Sequence, residues 1–229
     1  MRRLIKLLIL SLFFFHTYSA ICQGTYDIIE DYLRVIGGKE NIDSIKSYHQ
    51  SLVLSSNGQE FLIEKYFERP FKFKDIILNH ERDTLAYYSF DGQSLKSNRQ
   101  DFLKLSSSPY LKIIKEKRFG LLNRIFYFSN FTSLKDQEVD GISCNVLKSE
   151  SDGVDFLFYF DKETKFLLKE EDWYEGKLIN FHEYLDYKKF GNMVYPTEIR
   201  STTVQSKLTE RTLRIEFNKN YEDSFFRGK

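Results

Sequence analysis

Residues 139–161 read Val-Asp-Gly-Ile-Ser-Cys-Asn-Val-Leu-Lys-Ser-Glu-Ser-Asp-Gly-Val-Asp-Phe-Leu-Phe-Tyr-Phe-Asp. The period of this stretch decides the fold. Asp140–Gly141 forms a turn, since both residue types accept the left-handed conformation that tight hairpins need. Ile142, Cys144 and Val146 then share one face. Val154, Phe156, Phe158 and Phe160 alternate with Asp155, Leu157, Tyr159 and Asp161. A period of two is the signature of a strand, because a helix repeats every 3.6 residues.

The same rhythm extends in both directions. Upstream, Leu52 and Leu54 lead into the Asn57–Gly58 hairpin, and Phe61, Ile63 and Phe67 return on one face. Further strands are predicted over Phe71–Leu78 and Thr84–Phe90, with a turn at Asp91–Gly92. Downstream, Phe166–Trp173 forms a strand. Ile179, Phe181, Leu185 and Tyr187 share a face, as do Leu213, Ile215 and Phe217. This spacing predicts about ten strands in an antiparallel arrangement.

Two segments have helical spacing instead. Ile28, Ile29, Tyr32, Leu33 and Ile36 form one apolar stripe, with Thr25 as N-cap and Gly37–Gly38 as the stop. Lys39–Ile45 adds one or two more turns. Ser108–Pro109 starts a second helix carrying Tyr110, Leu111, Ile114 and Arg118, and Gly120 ends it. Asn218–Lys229 is a tail with two buried anchors, Phe225 and Phe226. The fold class that follows is mostly β: a single curved, unclosed antiparallel sheet with helices covering its concave side. A helix that only plugs such a sheet leaves an apolar hollow. The residues expected to line it are Phe156, Phe158, Phe160, Ile179 and Phe181.

The chain has 229 residues. Residues 1–22 have the layout of a secretory signal: basic Arg2, Arg3 and Lys6, apolar Leu7–Phe15, and the short cleavage region Ala20–Ile21–Cys22. Residues 23–229 are expected to form a single domain. Lys and Arg number 34 against 33 Asp and Glu. Without the three basic residues of the signal the net charge is −2 (31 − 33), which excludes a general nucleic-acid binder. Cleavage after Cys22 leaves Cys144 as the one cysteine, so no internal disulfide can form. A lipid anchor on Cys22 is the alternative, but a lipobox wants a small residue where Ile21 stands. The expected location is therefore the periplasm of a bacterial envelope, in soluble form.

Motifs for chemistry are absent. His49, His80 and His182 have no second His or Cys at metal-ligand spacing. His80 falls in a solvated turn. His182 and Glu183 are adjacent on a strand and point to opposite faces. Cys144 lies in apolar alternation and reads as core. Glu170–Glu171–Asp172 reads as an exposed edge or turn. No P-loop, Gly-rich dinucleotide fingerprint or serine-hydrolase elbow occurs. No catalytic residue, metal or cofactor is expected.

The order of these signals resembles the lipoprotein-carrier superfamily of LolA, LolB and RseB type, the outer-membrane lipoprotein-sorting-like envelope proteins. The resemblance rests on Tyr32–Ile42 with its Gly-Gly turn, Phe90–Leu95 with its Asp-Gly turn and the Val139–Leu147 hairpin. Phe158–Thr164 and Val194–Ile199, with its Tyr-Pro step, extend it. It implies an unclosed β-barrel that holds a lipid, a lipoprotein acyl chain or another apolar ligand, without catalysis or nucleic acid. The alternative it leaves open is a non-enzymatic envelope sensor or interaction module, with an envelope membrane protein as partner.

Overall fold

The computed structural model describes residues 24–100, 125, 128, 130–203 and 206–227. The signal segment 1–22 and the helix expected over Ser108–Gly120 lie outside the described residues. Helix α1 spans 24–35, so Thr25 lies inside its first turn rather than ahead of it. Helix α2 follows at Lys39–Ser44. The strands are β1 Ser47–Ser56, β2 Gln59–Glu68, β3 Lys72–Leu78, β4 Thr84–Phe90, β5 Leu95–Ser97 and β6 Thr132–Val139. They continue as β7 Ile142–Ser151, β8 Val154–Asp161, β9 Leu167–Tyr174, β10 Lys177–Phe190, β11 Met193–Thr203 and β12 Lys207–Phe217. A short helix α3, Asp223–Phe226, ends the described chain.

The strands form one antiparallel sheet in the order β5-β4-β3-β2-β1-β12-β11-β10-β9-β8-β7-β6. It has twelve strands rather than ten; the short β5 and the polar β6 lack the apolar alternation that marks the others. The two edges do not meet, so the sheet stays open. Laid flat, twelve strands at about 4.8 Å spacing would be roughly 50 Å wide. Yet one core cluster joins Tyr32 and Ile36 of α1 to Tyr48, Phe67, Phe158, Leu167, Tyr184, Tyr195 and Ile215. These come from β1, β2, β8, β9, β10, β11 and β12, so the sheet curls around the helix. The face against α1 is called the inner face below. A second, smaller cluster, Cys144, Val146 and Tyr159, lies on the outer face.

The apolar stripe of α1 enters this core as its spacing predicts, with Tyr32 and Ile36 sealed and Tyr32 against the Phe160 ring at 5.4 Å. The end of the helix is closed by the Gly38 N–H donating to Leu33 O at 2.8 Å. Beyond it, the Val194 N–H donates to Ile36 O at 2.9 Å and ties the helix to β11. Both glycines have positive φ, 132° at Gly37 and 85° at Gly38. Their surroundings differ. A Cβ on Gly37 would stand 2.6 Å from the Asn192 carbonyl oxygen, whereas one on Gly38 would meet open space.

Gly38, at φ 85° and ψ 148°, lies in a region that essentially only glycine adopts, so Gly38→Ala is expected to cost about 1–3 kcal/mol. Gly37→Ala adds a backbone clash and should cost clearly more. Urea unfolding midpoints of the two variants check this; equal losses would contradict the close approach to β11.

Candidate functional site

Register assigns every inner-facing side chain. Phe67 and Tyr48 are paired across β2 and β1, and both lie in the inner core. By alternation Gln50, Leu52 and Leu54 of β1 face inward, with Phe61, Ile63 and Lys65 of β2. On β3 and β4 the inner residues are Phe73, Asp75, Ile77, Ala86, Tyr88 and Phe90. Part of this face is closed: Leu52 is 0% exposed and Phe90 1%. Toward the hairpin turns it opens. Leu54, Phe61, Ile77, Ile199 and Leu208 are only half-buried. The inner face is thus sealed at Leu52, Ile63, Ala86 and Phe90, a floor, and half-buried at its hairpin-turn end, an apolar wall.

The wall is interrupted by polar groups. Gln50, Lys65, Asp75, Tyr88 and Ser97 are consecutive cross-strand partners through β1, β2, β3, β4 and β5. Lys65 Nζ is 3.0 Å from Glu210 Oε2 of β12. The Tyr88 hydroxyl donates to Asp75 Oδ2 at 2.7 Å, and Gln50 Nε2 donates to Thr212 Oγ1 at 2.9 Å. Burial pushes the Asp75 carboxyl up to about 6, against the pull of Lys65 and Tyr88. Burial works to lower the Lys65 ammonium, but the Glu210 and Asp75 carboxylates more than offset it and raise it overall. In the other half of the sheet, Glu170, His182 and Ser201 form a matching cross-strand row. His182 Nδ1 lies 2.7 Å from Ser201 Oγ, and Asn180 Nδ2 lies 2.9 Å from His182 Nε2.

Of the residues expected to line a hollow, Phe156, Phe158 and Phe160 share the inner face. Phe158 and Phe160 are each 1% exposed and belong to the floor, while Phe156 is half-buried against Phe128, with centroids 4.7 Å apart. Ile179 and Phe181 do not join them. Ile179 sits at a break in register between Leu178 and Asn180 and is 36% exposed. Phe181 is paired with Glu171 and lies on the outer face, under Lys169 Nζ at 5.1 Å from the ring centroid. The expectation of one shared face over Ile179, Phe181, Leu185 and Tyr187 also fails further along. Asp186 has φ 51°, and this reverses the alternation so that Tyr184 and Tyr187 both reach the inner core. A bulge and a left-handed residue each shift parity by one, and apolar spacing alone shows neither.

Glu170–Glu171–Asp172 is corrected as well. The three carboxylates are 1%, 7% and 7% exposed within β9. Glu171 is held on the outer face by the Tyr159 hydroxyl at 2.8 Å, Trp173 Nε1 at 2.9 Å and Lys169 at 2.7 Å. Burial opposes ionisation there, but these donors hold the carboxyl below its ordinary value. A similar knot gathers His49, whose Nε2 is 2.6 Å from Glu64 Oε2, with Ser51 Oγ donating to the same oxygen at 2.5 Å. Sequence reading missed both knots, because their members are brought together by pairing across strands. Among the described residues, no group of three His, Cys, Asp or Glu could hold a metal. A cleft of about 700 Å³ between α2 and the tail is basic in part, but its Arg69 is occupied by Ile42 O and Asp43 O at the end of α2.

Two predictions follow from these placements. Phe158→Ala should cost about 3–5 kcal/mol as a buried truncation, and Phe181→Ala on the half-buried outer face less than about half of that. Thermal melts of both variants check the assignment of faces. The second prediction concerns Asp75. Its carboxyl ionises near 6 when folded, against about 3.9 when unfolded. Between those values the folded state binds more protons, so this group lowers stability as pH rises from about 4 to about 6. Asp75→Asn should remove that component, so its stability relative to wild type should increase between pH 4.5 and 7.5. Urea midpoints at the two pH values measure it.

No family model matches the sequence, and no curated protein is significantly similar to it in sequence. Solved structures are similar in fold. A DUF1329 family protein from Desulfovibrio piger superposes with a TM-score of 0.51 at 13% identity, over 90% of this chain and 96% of that one. A LolA superfamily protein from Nitrosomonas europaea gives a TM-score of 0.51 at 12% identity, over 86% of this chain and 97% of that one. The MucA/MucB complex of Pseudomonas aeruginosa superposes too loosely, at a TM-score of 0.26, to carry an argument. The likeness is one of fold, over 86% and 90% of this chain.

Proposed function

We propose that this chain binds and carries a ligand with an apolar chain, a lipid or a lipoprotein acyl group, in the periplasm of a bacterial envelope. The observation that supports the reading most is the two-part inner face. Leu52, Phe90, Phe158 and Phe160 are sealed, while Leu54, Phe61, Ile77, Ile199 and Leu208 remain half-buried. A solid core would bury all of them. An accessible apolar wall on the inside of a curved sheet is what an acyl chain would cover, at about 0.8 kcal/mol per buried methylene. The LolA-like fold agrees with this reading, and the signal layout of residues 1–22 agrees with export, without a lipid on Cys22. The binding residues proposed are the upper wall with Phe156 at its side; Phe158 and Phe160 form the floor beneath it. No bond chemistry is assigned to any residue, and none of these groups calls for a cofactor.

The test is binding of N-phenyl-1-naphthylamine, an uncharged apolar dye that brightens in dry pockets. The purified chain should bind it in the micromolar range. Leu54→Trp, which fills the wall from a central strand, should weaken binding at least about tenfold. If the wild type does not bind the dye at all, the carrier reading fails and an interaction module of the same fold takes its place.

A further inference from the structure

An apolar ligand alone does not suit the inner face. The row Gln50, Lys65, Asp75, Tyr88 crosses the wall with charged groups, and Glu210 reaches it from β12. Gln50 is sealed at 3% exposure, but Lys65 and Glu210 keep 27% and 30% of their side-chain surface open, so this ion pair faces the hollow rather than being locked inside packed protein. A pure hydrocarbon pressed against it would strip its water and return no hydrogen bond. The bound molecule must therefore carry a polar group at this level.

The charges also indicate the sign of that group. One ammonium, Lys65, faces two carboxylates, Asp75 and Glu210. When all three are ionised the trio carries a net charge of −1 (1 − 2). Lys65 is committed to Glu210 at 3.0 Å, which leaves it a poor partner for an incoming anion. Asp75 accepts a hydrogen bond from the neutral Tyr88 hydroxyl and has capacity for another donor. An anionic head would meet the Asp75 carboxylate while the one ammonium of the row is already paired with Glu210, whereas a cationic head supplies the missing counter-charge and the donors.

We propose that the hollow is selective for an amphiphile bearing a protonated amine, whose head docks on Asp75 beside the Lys65–Glu210 pair while its chain lies on the apolar wall. The inference rests on the carrier reading and narrows its ligand class. The amine donates to the carboxylate oxygens in place of water, and the chain covers Leu54, Phe61 and Ile77. Both parts are needed, since a short amine lacks the apolar area and a fatty acid has the wrong sign.

Displacement of N-phenyl-1-naphthylamine at pH 7.5 by ligands of one chain length tests this. Dodecylamine, dodecanol and dodecanoate, each below its micelle concentration, should displace the dye in that order. Dodecylamine should be at least about tenfold stronger than dodecanoate. Butylamine should be at least about a hundredfold weaker than dodecylamine. Asp75→Asn and Glu210→Gln should each shrink the amine-to-acid ratio, while Asp155→Asn, the same charge change on the outer face, should leave that ratio as it is. Dodecanoate equal to or stronger than dodecylamine overturns the inference, as does butylamine equal to dodecylamine. Ratios unchanged in both Asp75→Asn and Glu210→Gln overturn it too. In all these cases the dye still binds and the carrier reading stands. Absence of dye binding removes both.

Discussion

The seating of α1 on the inner face is the constraint on which the rest of this structure depends. An open twelve-stranded sheet has one face too wide to bury by itself, and its own twist makes it curl. Tyr32 and Ile36 supply the apolar plug around which it curls, and the Ile36 carbonyl accepts from Val194 to fix the helix against β11. Gly37 permits that approach because any side chain there would strike the Asn192 carbonyl. Among the described residues, α1 covers part of the inner face, and the part toward the hairpin turns is only half-buried.

An unclosed sheet also has edges, and each is blunted. β5 has three residues. β6 carries Lys135, Asp136, Gln137 and Glu138 and breaks its register between Leu134 and Gln137. Charge and irregularity on an edge strand discourage pairing with a second chain. The outer face is stiffened by polar knots rather than by a thick apolar layer. Glu171 gathers Tyr159, Trp173 and Lys169, and Glu64 gathers His49 and Ser51. Over the β2–β3 end of that face the tail lays down Tyr221, Phe225 and Phe226. Phe225 meets Tyr66 at 4.9 Å between centroids, and Lys74 caps its ring at 4.5 Å.

The inner polar row sets the electrostatic character of the hollow. Buried charge is costly, and replacing such a group by an apolar one is often neutral or stabilising. Charges kept among the half-buried apolar residues of the inner face are therefore not explained by stability alone. The row is built from one residue per strand at a single level, so its geometry is as rigid as the sheet's own register.

Much of the fold was legible in the residues themselves. Period-two runs, the Asn57–Gly58 and Asp140–Gly141 turns and the helical stripe ending at Gly37–Gly38 each state a local preference that the structure keeps. Cys144 was legible as core for the same reason. Parity along β10 was not legible, because the irregularity at Ile179 and the left-handed Asp186 arise where strands of unequal curvature must stay paired. The burial of Glu170–Glu171–Asp172 was not legible either, since polar side chains signal exposure until partners from other strands are known. The polar row is the clearest case. Gln50, Lys65, Asp75 and Tyr88 are 10 to 15 residues apart in the chain and alike only in facing inward at one level. Sequence by itself determined which segments alternate and where they turn, because those are properties of neighbours a few residues apart. Which residues meet across the sheet, and so what the inner face presents, was decided only by register and curl, which sum hydrogen bonds and packing over the whole chain.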